Sequence, residues 1–165
     1  LGKVIGGGLP VAAFGGKREI MSQIAPLGPV YQAGTLSGNP LSMASGLAML
    51  SALESDKSFY ENLGKRSQYL VNGIVSEAKA QNIPMTSNSV GGMFGLFFSS
   101  EERVSNFSQA SSCNIELFKK FYNAMLKQGI YLAPSAYEAG FLSNAHSDED
   151  LDKTINAASA AFSSI

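Results

Sequence analysis

The sequence predicts a mixed α/β fold that ends in a small α+β domain, and three observations indicate it. Amphipathic helical patterns cover about residues 59–81, 114–128 and 147–165, where apolar residues recur at steps of three and four. The apolar segment 90–98, which also contains glycines, is typical of a strand. Nine of the 17 glycines lie within the first forty residues, and this density predicts turns and close backbone approaches there.

The composition excludes several classes of protein. The chain has 165 residues, of which 45% are hydrophobic and 15% charged, with 12 Lys+Arg against 13 Asp+Glu and a net charge of −1. Because no basic cluster is present, we expect no binding to nucleic acid. No apolar run approaches the ~20 residues of a membrane span, so we expect no membrane insertion. Cys113 is the only cysteine, which excludes an internal disulfide and a cysteine-based zinc site.

The first part of the chain predicts short elements followed by one long helix. Residues 10–14 favour a buried strand, and residues 17–25 favour a short helix. Asn39 and Pro40 suit the N-cap and first position of a helix that ends near Ser55. Its expected buried stripe consists of Leu41, Ala44, Leu47 and Ala48. A polar break at residues 54–58 predicts the domain boundary, which divides the chain into residues 1–57 and 58–165.

The second part predicts helices packed on a short sheet. Residues 84–86 and 90–98 are expected strands, the latter central and covered on both faces, and residues 99–112 form a polar loop. Gly129 suits the end of the helix over 114–128, whose stripe is Leu117, Phe118, Phe121 and Leu126, and residues 130–132 suit another strand. Ser147 and Asp150 have the spacing of a capping box at the start of the last helix.

General catalytic templates do not fit the sequence. The P-loop pattern fails because Arg18 follows Gly16-Lys17, and the dinucleotide fingerprint fails because Val11 replaces a required glycine. His146 is the only histidine and no nucleophile elbow accompanies it, so we expect it to cap or pack beside the last helix. Lys3 lies in an apolar, glycine-rich setting. It is either an exposed edge residue or a buried amine whose lowered pKa makes it nucleophilic.

Three segments carry a resemblance to a known family. Residues 1–16, LGKVIGGGLPVAAFGG, resemble the cofactor-lysine region of the class III pyridoxal-phosphate aminotransferases. Residues 28–40, GPVYQAGTLSGNP, resemble one branch of that family, the glutamate-1-semialdehyde 2,1-aminomutases. Residues 131–143, YLAPSAYEAGFLS, with Ala145-His146-Ser147 after them, resemble the same branch. The likeness runs in register along the whole chain.

The resemblance implies a homodimeric fold-type-I enzyme that uses pyridoxal 5'-phosphate and, in its cycle, the pyridoxamine form. Lys3 matches the lysine that binds this cofactor covalently and moves a proton between substrate and cofactor. Gly34 and Thr35 match residues that bind the cofactor phosphate of the neighbouring subunit, and Glu138 matches a residue near the carboxylate or the amino end of the substrate. The glycines after Lys3 would let the chain pass close to the cofactor ring. Residues 1–57 would then form the end of the large domain and residues 58–165 the small domain.

The resemblance to the aminomutase branch implies that the enzyme converts glutamate-1-semialdehyde to 5-aminolevulinate for tetrapyrrole synthesis, in the cytoplasm or in a plastid. Two alternatives stay open: a class III ω-aminotransferase of another specificity, and a non-catalytic chain that dimerises or binds a partner. The sequence contains no match to the family's pyridine-nitrogen aspartate, its ring-stacking aromatic residue or its glycine-rich phosphate loop. We therefore expect a C-terminal portion of the enzyme that has weak or no turnover by itself.

Overall fold

The computed structural model describes residues 1–165 and divides them into two compact units, Leu1–Lys57 and Ser58–Ile165. None of its helices combines the length and the apolar character that crossing a membrane requires.

The first unit contains a 3₁₀-helix (Lys3–Gly6), α1 (Arg18–Met21) and α2 (Pro40–Ser55). The predicted bounds of α2 are confirmed: the Asn39 side chain accepts hydrogen bonds from the Leu41 and Ser42 amides at 3.1 and 3.2 Å, and Pro40 occupies the first turn. The strand expected at residues 10–14 is wrong. Ala13 donates a hydrogen bond to the Leu1 carbonyl at 2.9 Å, but no ladder continues from that bond, so the segment stays irregular.

The buried side of α2 differs from the expected apolar stripe. Its buried residues are the small Ser42 and Gly46, and Gly46 lies under the 3₁₀-helix. By contrast, Leu41 and Leu47 are 69% and 68% exposed. Close packing of two helical backbones selects small side chains at the contact, which is why hydropathy alone identified the wrong side.

The second unit consists of three long helices, one short helix and a small antiparallel sheet. In chain order the elements are α3 (Phe59–Ala80), β1 (Thr86–Val90), β2 (Met93–Phe97), α4 (Phe107–Ser111), α5 (Ile115–Lys127), β3 (Gly140–Phe141) and α6 (Asp148–Phe162). The sheet order is β1-β2-β3. In its register Thr86 lies opposite Phe97, and Met93 opposite Phe141. The predicted α+β architecture of this region is present.

The strands differ from the prediction in number and position. Gly91, at φ 56°, and Gly92 form a two-residue turn that splits the expected strand 90–98, so β1 and β2 make a hairpin. Strand β2 is central, as predicted, but only Phe94 and Leu96 are buried. Residues 130–132 form no strand, and the third position in the sheet belongs to β3, whose two residues carry no strand signal in the sequence.

The core of the second unit lies between the sheet and helices α3, α5 and α6. The rings of Phe121 and Phe162 stack with centroids 4.7 Å apart. The predicted capping box of α6 is confirmed, with Ser147 and Asp150 bonding reciprocally. The stripe predicted for α5 is correct at Phe118 and Phe121.

Candidate cofactor and substrate sites

Lys3 begins the 3₁₀-helix and has an unusual backbone conformation. Its φ is 56°, in the left-handed region that residues with a Cβ rarely adopt. The side chain is exposed within this chain, so of the two alternatives that the sequence left open, Lys3 is the exposed residue and not the buried amine. The reason is local: the 3₁₀-helix turns Gly6, its buried residue, toward α2, and leaves Lys3 on the outside.

The 3₁₀-helix is fastened to the middle of α2. The Ser45 hydroxyl donates a hydrogen bond to the Gly6 carbonyl at 2.8 Å and a longer one to the Gly7 carbonyl at 3.4 Å. A Cβ at Gly7, whose φ is 58°, would lie 2.9 Å from the Ser45 oxygen. Glycine is therefore required at residue 7 by its conformation and by contact with α2. The sequence analysis explained the glycines after Lys3 by the passage of the chain beside a cofactor ring, but Gly7 is explained without that ring.

Gly34 and Thr35 lie in an exposed turn directly before α2. The turn is closed by a hydrogen bond from the Ser37 amide to the Gly34 carbonyl at 2.9 Å. The amides of Gly34, Thr35 and Leu36 donate no hydrogen bond within the chain. The first amides of α2 are already bonded to Asn39, so an anion at this end of the helix would meet the turn's amides and the Thr35 hydroxyl instead.

Helix α2 thus supports both predicted cofactor-binding segments of the first unit. The lysine segment is held at Ser45 and Gly46, while the Thr35 turn leads into the N-cap. Sequence reasoning missed the role of Ser45, because a serine inside an apolar helix reads as a neutral position. The signal that could have found it is the pair of small residues at 45–46 in a helix otherwise rich in leucine and methionine.

Glu138 belongs to the second unit, where it lines a cavity of about 540 Å³. The cavity lies over β1 and β2, and its sides come from residues 104–110 and 136–139. Most of the lining is apolar, and Glu138 is its only charged side chain. Phe107 and Tyr137 stand at the side with ring centroids 6.0 Å apart. Sequence reasoning placed Phe107 in a polar loop and did not identify it.

His146 lies next to the last helix, as expected, and serves a structural purpose. Its Nδ1 accepts a hydrogen bond from the Ser143 amide at 3.0 Å. Its carbonyl accepts one from the Arg66 guanidinium, which also bonds Asp148 at 3.1 Å. These bonds attach the loop before α6 to α3.

The comparison with known families decides the family of the chain. The model for class-III aminotransferases matches residues 1–161. The chain belongs to the class III aminotransferases. This family assignment agrees with the resemblance at residues 1–16, which includes Lys3.

Solved structures of the family resemble this class III chain along nearly its whole length. A β-phenylalanine aminotransferase from Variovorax paradoxus is 26% identical with a TM-score of 0.83, covering 99% of this chain and 37% of its own. An ω-transaminase from Sphaerobacter thermophilus is 24% identical with a TM-score of 0.80, covering 98% of this chain and 37% of its own.

A glutamate-1-semialdehyde-aminomutase from Pseudomonas aeruginosa PAO1, in complex with PMP, is more distant. It is 17% identical with a TM-score of 0.65, and the match covers 79% of this chain and 28% of the aminomutase. The predicted α/β fold is confirmed as that of the fold-type-I, pyridoxal-phosphate-dependent aminotransferases. The chain spans about 37% of the length of the transaminases it matches.

Proposed function

We propose that this chain carries the cofactor-binding lysine, Lys3, of a pyridoxal-phosphate-dependent class III aminotransferase. The conformation of Lys3 carries the proposal, because a left-handed φ costs an L-residue about 1–2 kcal/mol. Backbone strain of this kind is concentrated at functional sites, where the surrounding structure maintains it. Residues 1–57 would form the end of the large domain and residues 58–165 the small domain.

The residues present fit pyridoxal phosphate. The Lys3 amine is accessible to an aldehyde, and the Gly34–Leu36 amides and the Thr35 hydroxyl are available to a phosphate. When bound, the cofactor supplies an electron-withdrawing ring that stabilises charge at the reacting carbon. Lys3 would hold the cofactor covalently and, once displaced by substrate, transfer a proton at the substrate carbon. General acid–base catalysis of this kind contributes ~10²–10⁴ in rate.

A homodimer would bring Gly34 and Thr35 to the cofactor phosphate of the neighbouring subunit. Exposed leucines on one side of α2 support this arrangement, because Leu47 and Leu50 are three positions apart and are 68% and 51% exposed. A cluster of exposed leucines on one helix is typical of a protein interface. In the dimer, the partner subunit would also cover the Lys3 amine and exclude water from it.

Within the class III family, the more specific proposal is that the intact enzyme, in the cytoplasm or in a plastid, has glutamate-1-semialdehyde 2,1-aminomutase activity. Such an enzyme moves an amino group to the neighbouring carbon of glutamate-1-semialdehyde and forms 5-aminolevulinate for tetrapyrrole synthesis. The likeness at residues 28–40 and 131–143 supports it. Glu138 would bind the amino end of the substrate, since a carboxylate repels the substrate's own carboxylate.

A second candidate is an ω-aminotransferase that uses an external amino acceptor. The higher identity and TM-score of the β-phenylalanine aminotransferase, relative to the aminomutase, favour it. The intact enzyme distinguishes the two. An aminomutase forms 5-aminolevulinate from glutamate-1-semialdehyde without an added keto acid, whereas an aminotransferase releases its product only when an acceptor is present.

Both candidate activities require that Lys3 binds pyridoxal phosphate, and this requirement can be tested on the chain itself. Incubation with pyridoxal phosphate should produce a yellow adduct whose absorbance is lost in the variant Lys3→Ala. Lys17→Ala is the matched control, because Lys17 is also an exposed lysine of the first unit. A chain that gives no adduct, or that reacts equally after Lys3→Ala, would favour the non-catalytic role in dimerisation or partner binding.

A further inference from the structure

A groove of about 690 Å³ lies between α5 and the end of α6. Its lining residues fall within 116–128 and 160–165, and most of them are exposed. Ala124 and Ala160 line the groove from the two helices. Because their side chains are small, the space between the helices stays unfilled.

The groove is positively charged. Three of its lining residues are lysines and one is acidic: Lys119, Lys120, Lys127 and Glu116. The Lys119 Nζ is paired with the Glu116 Oε1 at 2.6 Å. Lys120 and Lys127 are exposed and form no ion pair in the chain. The groove therefore presents two lysine charges that have no carboxylate partner.

The ordinary roles of surface lysines account for only part of this arrangement. Lys119 supports α5 through its pair with Glu116, three positions away. Lys127 lies in the last turn of α5, where a cation is stabilised by the helix dipole. Lys120 lies in the middle of the helix and has neither kind of partner. Its charge is available to a molecule outside the chain.

The spacing of the two unpaired lysines indicates the shape of that molecule. Lys120 and Lys127 are seven positions apart, which places them on the same side of α5 and about 10 Å from each other along its axis. A ligand that meets both lysines without drawing the two like charges together has negative groups at about this separation. In a polyproline II peptide every third side chain points the same way, at a repeat of about 9 Å.

We propose that the groove between α5 and α6 docks an extended acidic segment of a partner protein, with a carboxylate at every third residue. Lys120 and Lys127 contact the carboxylates. The peptide backbone lies over Ala124 and Ala160, where no large side chain obstructs it. None of the proposed cofactor or substrate residues lines the groove, so the docking site is independent of the proposed function.

Two peptides of equal length and shape test the proposal in the full chain. One has four repeats of Glu-Pro-Pro and the other four repeats of Gln-Pro-Pro, and binding is followed by fluorescence anisotropy and by NMR shifts. We expect the glutamate peptide to bind about tenfold more tightly at low salt, and to lose this advantage as salt screens the charges. The shifts should fall within residues 116–128 and 160–165.

Charge variants assign the binding to the groove. Lys120→Gln combined with Lys127→Gln should weaken binding of the glutamate peptide about three- to tenfold. The matched control combines Lys79→Gln with Lys153→Gln, since both lysines are exposed in the same unit and neither lines the groove. Glu116→Gln should tighten binding about twofold, because it removes the carboxylate that repels the peptide. Damage to the fold would not produce such a gain.

A further pair of variants separates docking in the groove from general attraction by charge. Ala160→Gln places a larger uncharged side chain in the groove and should weaken binding about threefold, because it occupies space that the peptide needs. Asn156→Gln, at an exposed position of α6 outside the groove, should leave binding unchanged. Circular dichroism would verify that each variant is folded.

Four results would overturn the proposal. They are equal affinities of the two peptides, equal losses in the two lysine pairs, unchanged binding in Ala160→Gln, and equally tight binding of a single-stranded oligonucleotide of the same charge. The last result would show that the groove attracts polyanions in general. Adduct formation at Lys3 is measured separately, so neither outcome there changes the conclusion about the groove.

Discussion

Ser45 and Gly6 are joined by a 2.8 Å hydrogen bond from a helix hydroxyl to a carbonyl of the 3₁₀-helix that begins at Lys3. The bond connects residues 39 positions apart and fixes the segment that carries the lysine. The same oxygen occupies the space that a Cβ at Gly7 would need. The position of Lys3 therefore depends on α2.

Ser45→Ala should lower the free energy of unfolding by about 1 kcal/mol, because the partly buried Gly6 carbonyl loses its donor. It should also slow adduct formation at Lys3, since the lysine segment is held less firmly. Ser55→Ala is the control, because its hydroxyl bonds only the Ala52 carbonyl at the exposed end of the same helix. Equal effects of the two variants in urea unfolding would contradict the role given to Ser45.

The strain at Lys3 predicts a difference between two substitutions that both remove the amine. Lys3→Gly should be about 1 kcal/mol more stable than Lys3→Ala, because glycine adopts φ 56° without steric cost. Both variants should fail to bind the cofactor covalently. Chemical denaturation of the two chains measures the difference. An alanine variant as stable as the glycine variant would show that residue 3 is unstrained.

The exposed leucines of α2 predict a dimer that a single charge disrupts. Leu47→Glu should shift the intact enzyme toward monomer, because a carboxylate in an apolar interface is costly to desolvate. Light scattering coupled to size exclusion measures the mass. Leu126→Glu, at a 45% exposed leucine of α5, should leave the dimer unchanged. A dimer that tolerates Leu47→Glu would place the interface elsewhere.

The capping box of α6 predicts an acid-sensitive contribution to stability. Hydrogen bonds from the Ser147 amide and hydroxyl hold the pKa of Asp150 below its ordinary value. The folded state therefore favours the carboxylate, and this stabilisation is complete above the ordinary pKa of about 4. It is lost as the pH falls through the lower folded-state value. Asp150→Asn should remove this part of the pH dependence, which unfolding curves between pH 2 and 7 would measure.

Local signals in the sequence were sufficient for the long helices α2, α3, α5 and α6, whereas the short helix α4 lies in the segment that was expected to be a polar loop. Asn39-Pro40, Ser147 with Asp150, and Gly129 each mark a helix end through one residue's own chemistry, and the structure has the ends there. The two-residue strand β3 could not be found in this way. Gly140 pairs with Phe94, whose ring covers the position where a Cβ would stand, so the pairing depends on a residue 46 positions away.

The candidate site shows the same division between local and tertiary information. Lys3, Thr35 and Glu138 were identified by resemblance, and their chemistry is readable from residue type. The support of Lys3 by Ser45 and the placement of Phe107 beside Tyr137 arise only when distant segments meet. The apolar stripe predicted for α2 does not mark its buried side. The leucines of the stripe are exposed within this chain, whereas the contact with the 3₁₀-helix uses small side chains.

The most direct test of the central claim is to reduce the chain with borohydride in the presence of pyridoxal phosphate and to map the modified peptide by mass spectrometry. We expect one stoichiometric label, on Lys3. A label distributed over the exposed lysines, or located at any lysine other than Lys3, would contradict the assignment of Lys3 as the residue that binds the cofactor.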